Sequence, residues 1–353
     1  MIVNKIYNIR RLKARWQYLE NQTDIEGTMS FEYNLGVWRL YLPQILKRRC
    51  LPVFYEVVEN DKSMIIPLCR KFDGSYVSFN NHNYTPYDIL GSDKSLFEAF
   101  LQSMKGAKIS FFNVKTTSRI YENLLSYDRL KVYEKGNASY KVSLSDGYEA
   151  WYEGLHKSVR QNLRTAYNRL NREDHPPYRI IIIGNDGATQ EIQIAEGNNS
   201  ERVYQSCNLN GYQMRQLKKK MMTVYTKRLE RYHVHKGWVG KFMLNHFNPC
   251  IKNAERMSSA YRFVLEIDGQ VASLLIGFVS TKGGSVYVPI LSTNTDFAFY
   301  SPGVILINEA IRYFLSTNGV KEIDLGMGDE SYKIKMGGEE YLMNSIVFDT
   351  SKL

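Results

Sequence analysis

The apolar positions of this chain change period several times, and each change marks an element. Residues 285–291 (Ser-Val-Tyr-Val-Pro-Ile-Leu) form a β-branched and aromatic run that breaks into Ser-Thr-Asn-Thr-Asp, which predicts a buried strand followed by a loop. From Val304 the apolar residues fall at Leu306, Ile307, Ala310, Ile311, Phe314 and Leu315, the spacing of one helix face, and Asn318-Gly319 closes that helix. Ser301 is a candidate N-cap, and Pro302 suits the first helical position, where a missing N–H costs nothing. Residues 321–325 read as a second strand, which runs into Gly326-Met-Gly328-Asp329-Glu-Ser-Tyr332-Lys333. The pattern is strand, helix, strand, with polar side chains gathered just past the second strand.

The first part of the chain repeats this grammar. An apolar stripe at Leu35, Val37, Trp38, Tyr41, Leu42, Ile45 and Leu46 predicts a helix that Pro43 bends or ends. Residues 52–58 and 63–68, separated by Glu-Asn-Asp-Lys, predict a hairpin. A strand at 76–79, a Tyr-rich loop, a helix over 96–104 and a strand at 108–112 follow, then a short helix and a hairpin to Val142. The same order recurs between Arg262 and Phe348, so the chain reads as mixed α/β with two tandem halves, residues 1–145 and 146–353. A single large α+β domain using the same elements twice is the alternative. Between the halves, residues 146–173 predict one long helix with an apolar seam at Trp151, Leu155, Val159, Leu163, Ala166 and Leu170. Lys157, Arg160 and Arg164 share another face of it.

Composition narrows the classes. With 353 residues, 44% apolar and 13% aromatic, the chain can bury two cores. No run approaches the ~18 apolar residues of a spanning helix, and the first residues lack the charge order of a signal peptide, so a soluble cytoplasmic protein is expected. The four cysteines lie far apart, which suits free thiols. The formal charge of +10 is concentrated at residues 215–241, where nine basic residues face one acidic residue, Glu230. Such a patch suits tRNA, an anionic membrane surface or a polyanionic substrate; a packed helix with a solvated charged face reads the same way. His233, His235, His246 and Cys250 have ligand chemistry but no familiar spacing, so no metal site is expected. There is no P-loop and no G-x-S-x-G elbow, and Gly326-x-Gly328 lacks the third glycine of a dinucleotide fingerprint.

Ligands of open α/β sheets bind beyond the carboxyl ends of strands, where helix N-termini offer N–H groups to anions. The helix opening at Ser301 is such a place, with Asp324, Asp329, Tyr332 and Lys333 beside it. On Tyr300-Ser-Pro-Gly303 and Asp324-x-Gly-x-Gly-Asp329-x-x-Tyr332-Lys333, the chain resembles the GNAT-like acyltransferases of the CelD/BcsL type, associated with envelope polysaccharides and akin to Fem-type aminoacyl transferases. The resemblance implies two tandem GNAT-like domains and a strand that splays from its neighbour before the helix. It also implies acyl-CoA as co-substrate, with its pyrophosphate at the helix start near Ser301, Gly303, Val304 and Lys333, and a Tyr that protonates the departing thiolate. The chain departs from the usual phosphate loop, which carries a Gln or Arg and several glycines, in offering Gly303 alone after a Pro.

The resemblance extends to residues 81–88, a polar loop in which Tyr84 and Asp88 are candidates for the acceptor side, and to the arginine-rich stretch 158–164, in which Arg160, Asn162 and Arg164 are. Each is equally a residue of a solvated loop or face. Asp329 and Asp324 are candidates to deprotonate or orient an acceptor amine, Tyr332 to protonate the leaving group and Lys333 to bind phosphate or developing negative charge. The competing reading makes Asp329 a helix N-cap and Tyr332 a core residue. The expected function is acyl transfer from acyl-CoA to an amine or hydroxyl of a sugar, sugar nucleotide or envelope polysaccharide precursor. The alternatives are Fem-type transfer from aminoacyl-tRNA to a peptidoglycan precursor and a non-catalytic accessory role in polysaccharide synthesis.

Overall fold

The computed structural model describes residues 1–41, 49–79, 85–172, 174–184, 187–194, 201–231 and 248–353. It divides into two compact units, one of residues 1–140, 326–329 and 340–353, the other of residues 141–325 and 330–339.

The first unit orders its strands β1 (Ile2–Ile6), β2 (Cys50–Glu59), β3 (Lys62–Lys71), β4 (Tyr76–Ser78), β5 (Lys108–Lys115), β14 (Glu339–Asp349) and β6 (Lys131–Ser143). The β2–β3 hairpin turns at Asn60, whose φ of 54° is one that Asn accommodates better than most residues. Helices α1 (Lys13–Gln22), α2 (Phe31–Tyr41), α3 (Lys94–Ser103) and α4 (Arg119–Leu125) complete the unit. Helix α3 starts where the Asp93 carboxylate accepts the N–H groups of Ser95 and Leu96, and its Leu96, Phe97, Phe100 and Leu101 enter the core with Val53, Met64 and Ile109. Residues 42–46 of the expected helical stripe, Pro43 among them, lie outside the described residues.

The second unit orders β13 (Glu322–Met327), β12 (Ser285–Thr293), β11 (Gln270–Val279), β10 (Ala260–Ile267), β7 (Tyr178–Ile183), β8 (Thr189–Ile194) and β9 (Arg202–Ser206). Its helices are α5 (Gly147–Gly154), α6 (Lys157–Leu170), α7 (Gly211–Arg231), α8 (Pro249–Ala254), α9 (Pro302–Asn318) and α10 (Ser331–Lys335). One core joins Leu163, Ala166 and Leu170 of α6 to Ile305, Leu306 and Ile311 of α9 and to Phe263 and Leu265 of β10. Both units pair most strands antiparallel, and each holds one parallel pair that parts after two or three residues: β4 with β5, and β12 with β13.

Two expectations need correction. The stretch 146–173 is two helices, because Leu155 is extended (φ −66°, ψ 144°) and the His156 imidazole accepts the Ser158 N–H to start α6 afresh. The last strand, assigned to residues 146–353, belongs with the first unit. Met343 to Asp349 pair antiparallel with β5, and Ile346 and Phe348 enter that unit's core, where Phe348 meets Phe111 edge to face with centroids 6.4 Å apart.

Candidate active site

Parallel β12 and β13 are in register only at Ser285/Glu322, Val286/Ile323 and Tyr287/Asp324. Beyond Tyr287, β12 stays paired with β11 as far as Thr293 and parts from β13, leaving a wedge between the two strands. A helix begins at the end of each. Helix α9 follows β12, and α10 follows β13.

Charged side chains close around the wedge. From α7, Arg228 donates to the Leu291 carbonyl of the parted strand at 2.6 Å and to Glu330 Oε1 at 3.3 Å. Glu330 Oε2 lies 2.9 Å from Lys333 Nζ. Asp324 and Lys333 are 1% and 2% exposed, so both ionisable groups of this pair are enclosed, and Tyr287, in register with Asp324, is buried too. Burial pushes the Lys333 ammonium below the ordinary lysine range; Glu330 and Asp324 oppose the shift and Arg228 adds to it. Burial would raise Glu330, but the Lys333 and Arg228 charges outweigh it and hold that carboxyl below the usual carboxylate range. A lysine whose proton is loosened, set between two carboxylates, can neutralise an oxyanion or carry a proton.

Ser301 has left-handed geometry (φ 49°, ψ 49°), and its side chain makes no cap, in contrast to the expected N-cap. Its carbonyl takes the N–H groups of Val304 and Ile305, and Pro302 has none to offer. Gly303 is small for a reason other than a ligand. A Cβ there would stand 2.8 Å from Thr293 Cγ2, so its lack of a side chain lets the helix start against β12. Val304 packs at the edge of the core.

The other sequence candidates scatter. Asn162 is exposed, with its Oδ1 3.5 Å from Ser301 Oγ. Arg160 is half-buried with an unpartnered Nε, and the Arg164 Nε reaches the Tyr152 hydroxyl at 3.4 Å. Tyr84 lies outside the described residues. Asp88 is part of the first unit's framework rather than an open loop. It accepts the Ile120 N–H at 2.8 Å, caps the start of α4 and pairs with Arg119 at 3.2 Å. Burial raises its carboxyl, and those same contacts oppose the rise. Asp329 is exposed and belongs with the first unit, and the N-cap position of α10 is held by Glu330, whose side chain makes no cap. Tyr332 is half-buried against the second unit's core. In the described part of the basic patch, Lys218, Lys220, Lys227 and Arg228 meet Glu255, Glu266, Asp296 and Glu330. The rest of the patch, residues 232–241, lies outside the described residues.

A buried network in the same unit was missed. Glu309, 0% exposed in the middle of α9, is held two-pronged by Arg202 of β9 at 2.7 and 2.8 Å. Tyr167 of α6 donates to the same carboxylate, and Asn308 Nδ2 donates to the Tyr167 oxygen at 2.8 Å. The one signal was Asn308-Glu309 interrupting an otherwise apolar helix face.

Residues 209–334 match the family model described as an acetyltransferase (GNAT) domain. No curated protein matches the chain. Among solved structures, FemX superposes with a TM-score of 0.58 at 9% identity, over 97% of this chain and 96% of that one. A tandem GNAT protein from the clavulanic acid biosynthesis pathway superposes at 0.51 with 9% identity, covering 99% of each chain. This chain has a tandem GNAT-like fold. The C-terminal domain of a protein proposed to be a lysylphosphatidylglycerol synthetase, from Agrobacterium fabrum, gives 0.56 at 11% identity, over 96% of this chain and 92% of that one. In GNAT terms, the wedge between β12 and β13 is the splay expected before the helix, and it lies within the matched domain. No helix among the described residues is long and apolar enough to cross a membrane.

Proposed function

We propose that this protein moves an acyl group from acyl-CoA to an amine or hydroxyl of a sugar, sugar nucleotide or envelope polysaccharide precursor, in the cytoplasm or at the inner face of the membrane. The observation that carries this reading is the β12/β13 wedge, with the start of α9 at one side and the Asp324, Glu330 and Lys333 charges at the other. In the proposed step the acceptor nitrogen or oxygen attacks the thioester carbonyl, the new C–N or C–O bond forms, and the C–S bond breaks. The acceptor's proton passes to a carboxylate, Asp324 or Asp329, and Tyr332 gives a proton to the departing thiolate. Lys333 stabilises the oxyanion of the tetrahedral intermediate. Ser301, Gly303 and Val304 flank the pyrophosphate, and Arg160, Asn162 and Arg164 serve the acceptor.

One observation favours a second donor. The first turn of α9 leaves a phosphate the Gly303 N–H alone, since Pro302 lacks an N–H and the Val304 and Ile305 donors are taken. An aminoacyl-tRNA, the donor of the Fem-type reaction, would place its ester in the same wedge without needing that cradle. Mass spectrometry of ligands that copurify with the full chain, followed by calorimetry with CoA and with aminoacyl-tRNA, separates the two. Saturable CoA binding supports the first reading; no CoA binding together with aminoacyl-tRNA binding overturns it in favour of the second.

A further inference from the structure

Along β10 the side chains alternate. Phe263 and Leu265 enter the core shared with α6 and α9, which sends Arg262, Val264 and Glu266 to the opposite face, where α7 and α8 pack on β10 and β11. Of these, Arg262 and Glu266 carry charge. Glu266 is matched by Arg179 at 2.6 Å and Lys220 at 3.6 Å. Arg262 is not. It is 5% exposed, between Ile183 of β7 and Ile276 of β11 in register, and its Nε and Nη1 are enclosed with no hydrogen-bond partner. The carboxylate whose field reaches it, Glu255, is itself paired with Lys218 at 3.7 Å.

A buried guanidinium without a counter-charge is among the costliest groups a fold can hold, and arginine cannot shed its proton to escape the penalty. A second polar atom on this face is also unspent. Register carries Val264 to Leu274 and on to Ser292 of the parted strand β12, and the Ser292 hydroxyl, on a residue 0% exposed, has no partner. The sheet face beside the wedge therefore presents an unpaired cation and an unpaired hydroxyl two strands apart.

We propose that Arg262 is the anchor of a binding site for an oxyanion, a carboxylate or phosphate group carried by a ligand that enters on the α7/α8 face of the second unit, with the Ser292 hydroxyl as a further donor to that ligand. The site stands whether or not the acyl-transfer reading does. The open Nε and Nη1 lie on different edges of the planar guanidinium, so each can donate to an oxygen of a carboxylate or phosphate seated against it.

The test is thermal unfolding of the full chain titrated with sodium phosphate and, separately, sodium acetate, with ionic strength held constant by sodium chloride. The wild-type midpoint should rise saturably with at least one of the anions, by about 3 °C at ten times its Kd. A response to phosphate alone assigns a phosphoryl ligand, and a response to acetate assigns a carboxylate. Arg262→Met should start at a higher midpoint and show no saturable rise. Arg262→Lys, which keeps the charge and loses the fork, should bind at least tenfold more weakly. The proposal falls if neither anion does more than chloride, or if either variant responds as the wild type does.

Discussion

Replacing Arg202 by Met removes two hydrogen bonds, of 2.7 and 2.8 Å, from a carboxylate that is 0% exposed, and leaves Glu309 with the Tyr167 hydroxyl and the Asn308 amide, its ion pair with Arg202 gone. Arg202 is itself only 4% exposed at the side chain, so solvent screens the pair little. Breaking one side of such a pair costs about 3–5 kcal/mol, because the surviving charge stays buried. For a domain of 150–250 residues each kcal/mol moves Tm by about 2–4 °C, so a fall of roughly 6–20 °C is expected for the second unit. Thermal unfolding followed by circular dichroism, with hydrogen exchange along α9, measures this. The Arg202→Met/Glu309→Leu pair should recover most of the loss, as apolar replacements of both partners often do. If Arg202→Met loses less than about 1 kcal/mol, or the double variant is as unstable as the single, the network contributes no more than surface charges do.

Three further outcomes test other parts of the molecule. Gly303→Ala should destabilise by about 1–3 kcal/mol through its clash with Thr293 Cγ2, and Gly303→Ala/Thr293→Ser, which deletes that methyl, should restore the loss in the same unfolding assay. Once a substrate is identified, Lys333→Met, Asp324→Asn, Asp329→Asn and Tyr332→Phe each report a proposed role. A chemical role lowers kcat by ~10²–10⁴-fold with folding intact, and a near wild-type rate removes that residue from the mechanism. Glu20, whose carboxylate accepts the Phe31 N–H, is pushed by burial from 4.5 up to about 7, with that N–H opposing and Glu32 adding. An acid raised on folding stabilises while protonated, so its contribution is full below about pH 4.5 and is lost as pH rises through about 7. Glu20→Gln should therefore gain about 1–2 kcal/mol at pH 8, discounted for partial exposure, and nothing at pH 4.

The strand–helix–strand unit and its duplication were legible because they rest on local rules. β-branched runs, a Pro one residue inside a helix and Asn318-Gly319 at its end act within a few residues of chain, and the structure uses them there; Gly319 closes α9 at φ 62°. The break at Leu155-His156 was hidden for a related reason. The apolar seam from Trp151 to Leu170 keeps helical spacing across the gap, since both helices bury their seams in one core, and periodicity alone does not show that the chain restarted. The pairing of β14 with β5 was out of reach, because its partners lie some two hundred residues apart in sequence and pair by shared burial, not by any local signal.

The site divides along the same line. Asp324 and Lys333 stood out as chemistry-bearing residues near the end of a strand, and the structure encloses both. Their meaning changed with the neighbours that burial brought. Lys333, expected to bind phosphate or developing negative charge, is held by Glu330, and Glu330 also receives Arg228 from a helix a hundred residues earlier. A cation already spent on an internal carboxylate is a weak phosphate hook, yet one whose proton burial has loosened is better suited to act at a reacting centre. The same arithmetic marks Arg262 as the contrasting case. Glu309, Glu330 and Glu266 each have a cation within hydrogen-bonding or ion-pair reach; the Arg262 Nε and Nη1 have no hydrogen-bond partner among the described residues, and the partner proposed for them comes from outside the chain.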